Sequence, residues 1–178
     1  VGIAARQVYT PRWAHCDDNH ARVEVFVNGE WHVLGACEPE EVLDTGWFSG
    51  PANRAILIHT RNFSDYVKES NEEYLGKEGA LYYFNHTDFY GRTKLVKILV
   101  KDENGKPAAG AHIAVEILNM AEFFPAAVMI ADADGEVRMT LGLGDIRVRA
   151  FDGIRRAEAM MRIEEEDSLE LVLREEAV

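Results

Sequence analysis

NHARVEVFVNGEW, residues Asn19–Trp31, sets an alternating run, then Asn28-Gly29, then the start of a second run. Both turn residues tolerate positive φ, so Asn-Gly between alternating runs is the strongest short-range hairpin signal. A two-residue loop pairs Val27 with Glu30 and Phe26 with Trp31, and the same register carried outward sets His20 opposite Cys37. Ala21, Val23, Val25 and Val27 then share a face with Leu34 and Ala36, and their apolar character predicts that this face is core. His20, Arg22, Glu24 and Phe26 share the other face with Trp31, Val33, Gly35 and Cys37. That face packs near the turn and grows polar toward His20, as a catalytic edge is built.

Outward from the hairpin the composition changes. The first half is rich in His, Trp, Tyr and Asn, whereas the chain from about Thr93 reads as short alternating runs broken by turn signals such as Asp102–Lys106 (DENGK), Asp132–Gly135 (DADG) and Gly142–Asp145. The runs are Lys94–Lys101, His112–Leu118, Val128–Ala131, Val137–Leu141, Ile146–Phe151, Ala157–Ile163 and Leu169–Leu173, with a loop expected over Asn119–Pro125. Strands this short bury one face only against a second sheet, which predicts an antiparallel sandwich. Between the two halves, Ser49–Pro51 reads as a helix start, Ser64–Gly76 as a short helix ended by glycine, and the apolar stretch before His59 as helical. The expected fold is therefore mainly β: an α+β core fragment over 1–50 with an antiparallel sheet, a helical connector over 51–92, and a seven-strand sandwich over 93–178.

With 31 acidic against 19 basic residues and a formal charge of −12, the chain lacks the clustered Lys and Arg that phosphate backbones and anionic membranes require, so no nucleic-acid partner is expected. No apolar run approaches the roughly 20 residues of a spanning helix. The acidic run Glu164–Asp167 reads as solvated surface. Two cysteines, Cys16 and Cys37, are too few for a disulfide scaffold and form no CxxC pair. No metal site and no cofactor are expected: the loop His15-Cys16-Asp17-Asp18-Asn19-His20 carries ligand types without a preorganised set, and the DADG turn has Leu143 where a calcium loop needs Glu.

The opening VGIAARQVY followed by NHARVEV resembles the transglutaminase-like superfamily, of papain-like Cys-His-Asp fold, over Val1–Gly50. That family runs from a helix bearing the nucleophilic Cys into a G-I-P-A-R strand, then an H-A-W-V-E-V strand with the catalytic His, then an acid on the next strand after a Trp. The resemblance implies that His20 is the general base, that the substrate is a protein or peptide amide, and that the chemistry is hydrolysis or transamidation through a thiol. This chain departs from the pattern at Ala4 (for Pro), at Arg22 (for Trp) and at Gly35, which stands at the acid's usual position four residues after Trp31. Glu38, in LGACEPEE, is the nearest carboxylate and serves as the acid if a bulge turns it toward His20. The nucleophile's helix is not among these residues, so the chain alone is expected to be inert, and apolar surface that such a helix would cover is expected to favour self-association. Trp13, Trp47 and Phe48 are groove candidates as well as packing candidates.

The segments KDENGKPAAGAHIAVEI, ADADGEVRMTL and GLGDIRVRAF resemble the carboxypeptidase-regulatory or prealbumin-like Ig-type module, over about 80 residues from Thr93. Such modules serve as spacers, stabilisers or adhesion units, an analogy that favours an extracytoplasmic location. Two other readings stay open. One is a non-catalytic binding or structural protein built from a remnant core and the sandwich. The other is a reduced dyad of Cys37 and His20, although a strand cysteine lacks the helix N-terminus that would hold an oxyanion. His32, His59, His86 and His112 read as structural.

Overall fold

A computed structural model describes residues 2–35, 40–46, 49–63 and 72–175. Among the described residues, six strands precede Thr93: β1 (Ala5–Thr10), β2 (His20–Val27), β3 (Glu30–Leu34), β4 (His59–Asn62), β5 (Glu73–Glu78) and β6 (Leu81–Asn85). Seven follow: β7 (Thr93–Lys101), β8 (His112–Asn119), β9 (Glu122–Ile130), β10 (Glu136–Gly142), β11 (Asp145–Phe151), β12 (Arg156–Arg162) and β13 (Ser168–Val172). Two four-residue helices, α1 (Ser49–Ala52) and α2 (Thr87–Tyr90), complete the described elements. The chain is mainly β, as its alternation predicts, and antiparallel except where β13 runs parallel to β7.

The first sheet has the order β3-β2-β1-β4-β6-β5. Its β2–β3 hairpin has the register read from the sequence, Val27 with Glu30 through Val23 with Leu34. Asn28 and Gly29 take φ of 54° and 93°, the left-handed backbone that a two-residue hairpin needs. The other strands form two facing sheets, β10-β7-β13 and β12-β11-β8-β9. Val96, Ile98 and Val100 of β7 pack in one core with Ile113, Val115 and Ile117 of β8, all at 0–1% exposure. Burying each such side chain contributes about 1.5–3 kcal/mol.

Ala55–Ile58 joins the sheets. These four residues are buried outside regular structure, not helical as their apolar character suggested. Ile56 and Leu57 enter the sandwich core, while Ala55 and Ile58 enter a smaller core with Val8, Trp13 and Ala52. Burial on both sides explains an apolar run without helical periodicity.

Three further expectations differ from the structure. The stretch 51–92 is not a helical connector: it holds β4, β5 and β6, which extend the first sheet. Of the helix expected at Ser64–Gly76, residues 64–71 lie outside the described set, and Glu73–Gly76 belong to β5, where Tyr74 lies on Phe84 at a ring distance of 5.7 Å. Finally, Asn119–Pro125 is not a loop, because β8 turns directly into β9 through Met120 and Ala121.

Candidate functional site

His20 is the first residue of β2, opposite Thr10 of β1. Its ring stacks against Trp13 with centroids 6.0 Å apart, and Trp13, only 3% exposed, is wedged into the smaller core. The histidine thus rests on a rigid aromatic plate. Residues 11–19, between β1 and β2, carry Trp13 and close through a bond from Trp13 N–H to the Asp18 carbonyl at 3.2 Å.

The sandwich holds this loop from the other side. The Asn119 Nδ2 donates to the carbonyls of Trp13 (3.0 Å) and Cys16 (2.9 Å), and its Oδ1 accepts the Asp18 N–H at 3.0 Å. Met120 N–H donates to Asp17 Oδ1 at 2.9 Å. Met120 and Ala121 take φ of 51° and 61°, a conformation that costs about 1–2 kcal/mol for each non-glycine residue and is held here by the contacts it makes. Replacing Asn119 by alanine removes three hydrogen bonds and is expected to cost about 2–4 kcal/mol. Amide exchange at Trp13 and Asp18 is then expected to accelerate well beyond that of β11; equal acceleration everywhere would show that the bonds do not act locally.

Between His20 and the exposed Phe26, the polar face of β2 is buried. Arg22 and Glu24 are 2% and 0% exposed. On the valine face only Val25 is buried, with Ala21 exposed and Val23 and Val27 partly covered, so the core expected there is borne out at Val25 alone. The reason is a set of partners that closes over the charges. Arg6, opposite Glu24 on β1, donates through Nε to Glu24 Oε2 at 2.7 Å and through Nη1 to Glu72 Oε1 at 3.0 Å. His86 Nε2 lies 3.2 Å from both Glu24 Oε1 and Arg6 Nη2. The Tyr90 hydroxyl of α2 donates to Glu24 Oε1. Arg22 lies over the Tyr90 ring at 4.1 Å and Arg6 over Trp31 at 4.0 Å.

Burial alone would push the Glu24 carboxyl upward, but the bonds from His86 and Tyr90 and the Arg6 charge override it and hold it at about 2. Burial, together with the adjacent carboxylate, raises the Tyr90 hydroxyl above its ordinary value. Glu24 is thus a buried strut that stays ionised at neutral pH, with both oxygens already engaged. Sequence reading placed Glu24 on this face but missed its partners, since Arg6, Glu72, His86 and Tyr90 converge only in the fold.

Of the remaining sequence candidates, Glu38 and Trp47 lie outside the described residues, as do Cys37 and Phe48. Cys16 is exposed. The Asp17 side chain accepts from Met120 N–H and that of Asp18 from Asn19 N–H, and among the described residues no three His, Cys, Asp or Glu converge as a metal site. His32 pairs with Asp44 at 2.7 Å, which raises its pKa, while Asp44 also caps the Val33 N–H. No known family model matches this chain, and no curated protein matches it.

Proposed function

We propose that the first sheet is the histidine-bearing half of a transglutaminase-like thiol acyl-transfer core, with His20 as its general base. The observation that carries this reading is the setting of His20, which opens β2 against a buried tryptophan in a loop fixed at both ends. A base works when its ring is held in one orientation before substrate arrives. Arg22, where the family pattern has tryptophan, lays a planar guanidinium on Tyr90 and so keeps a flat stacking group at that position.

In this reading His20 takes the proton of a cysteine thiol supplied from outside Val1–Val178, and the thiolate attacks an amide carbonyl of a protein or peptide. His20 then gives that proton to the leaving amine, leaving a thioester that water or a second amine resolves. Glu38 is the proposed orienting acid and Trp47 a proposed groove residue, whereas Trp13, at 3% exposure, is the plate beneath His20 and not a groove wall.

The test is ammonia release from a glutamine-containing peptide by the polypeptide as its native source makes it, with and without a primary amine. His20→Ala is expected to lower the rate roughly 10²–10⁴-fold, the usual contribution of a general base. Full activity in His20→Ala would remove the assignment. Absence of release by the unsubstituted polypeptide would favour a binding protein built on the same sheet.

A further inference from the structure

On the opposite face of the first sheet, where β1 and β4 approach the β9 edge of the sandwich, lies a cavity of about 330 Å³. Tyr9 and His59 face each other across β1 and β4, Arg61 follows on the same face, and Arg12, Phe124 and Pro125 close the far wall. In a chain with 31 acidic and 19 basic residues, the described lining holds two arginines and no carboxylate.

Both guanidiniums are fixed by stacking. Arg61 lies 3.9 Å over the Tyr9 ring and Arg12 lies 4.3 Å over Phe124. Stacking engages the guanidinium face and leaves the in-plane donors directed outward. Among the described residues neither arginine makes an ion pair; Arg12 Nη1 donates to the Pro11 carbonyl at 2.9 Å. The Nε atoms of both are buried without a hydrogen-bond partner. Atoms so covered lie behind the cavity wall, and the outward Nη donors are the ones offered to a ligand. His59 is neutral at pH 7 and adds no charge of its own: burial draws its pKa down to about 4, and its Nδ1 lies 3.4 Å from the Thr60 carbonyl.

We propose that this cavity binds a small organic acid, its carboxylate taken by Arg12 and Arg61 and its apolar or aromatic body lying between Tyr9 and Phe124. A planar carboxylate matches the guanidinium fork. The volume lies at the small end of ligand sites and exceeds what a bare anion fills, so the body is part of the ligand. The site is on the face away from Glu24 and is independent of the acyl-transfer reading.

The probe is benzoate, titrated calorimetrically into the 178-residue chain at constant ionic strength, with benzyl alcohol and inorganic phosphate as comparisons. Saturable benzoate binding is expected, with none by benzyl alcohol and weaker binding of phosphate. Arg61→Gln and Arg12→Gln are each expected to weaken benzoate roughly tenfold or more, with Arg61→Lys retaining part of the affinity. Circular dichroism checks folding, and Arg12→Gln, at a half-buried loop position, serves as the second variant if Arg61→Gln misfolds. No saturable benzoate binding, equal binding of benzyl alcohol, preference for phosphate, or undiminished binding in folded variants would each overturn the proposal.

Discussion

Gly142→Ala is expected to lower stability by about 3 kcal/mol or more, a large loss for a single methyl group. Gly142 ends β10 with its N–H donating to the Ile56 carbonyl at 2.8 Å. A Cβ there would drive into the Ala55 carbonyl, with the carbonyl carbon at 2.9 Å and Ile56 Cα at 3.2 Å. These are backbone atoms of a fully buried segment, so no rotamer change relieves the overlap. Ala55–Ile58 belongs to both cores, and displacing it loosens the first sheet from the sandwich. Gly144→Ala is the control, because its Cβ would meet only the Ile56 side chain at 3.0–3.1 Å, which can turn. Urea midpoints for both variants check this; a loss below about 1 kcal/mol for Gly142→Ala would mean that the segment yields more easily than its packing implies.

Glu24→Ala is expected to cost about 3–5 kcal/mol, because it removes the carboxylate from between Arg6 and His86 at a fully buried position and leaves Arg6 with Glu72 alone. That is a large part of the 5–15 kcal/mol that a domain commonly has. The sign of the acid dependence follows from the carboxyl being held at about 2 against 4.5. The unfolded chain binds the proton first, so this contribution, about 3 kcal/mol, is complete above pH 4.5 and is lost as the pH falls toward 2. Glu24→Gln keeps the shape but removes the titration, and its stability is expected to be flatter across that window. An unchanged acid limb in Glu24→Gln would show that other carboxylates set it.

The parts of the fold readable in the sequence are those written in local chemistry. Asn28-Gly29 announces its turn, and DENGK, DADG and GLGD punctuate the sandwich. The β8–β9 hairpin escaped because Met120-Ala121 adopts a left-handed turn without turn residues, held by Asn119 and Asp17 from elsewhere. The buried face of β2 escaped for a related reason. Alternation marks Val23 and Val25 as core, and only contacts spanning dozens of residues make Glu24 the better buried residue. The hairpin that opens at His20 is legible in its motif, whereas Trp13 as the plate beneath that histidine and Asn119 as the clamp on the plate required the fold.

If His20 activates a thiol, as proposed, the pH dependence of iodoacetamide alkylation shows it most directly, mapped cysteine by cysteine by mass spectrometry on the natively produced polypeptide. One cysteine other than Cys16 is expected to react with a pKa well below the free-thiol value of about 8.5, returning toward it in His20→Gln. If every cysteine reacts as a free thiol, or the reactive one is indifferent to His20→Gln, His20 is not the base of a thiol enzyme.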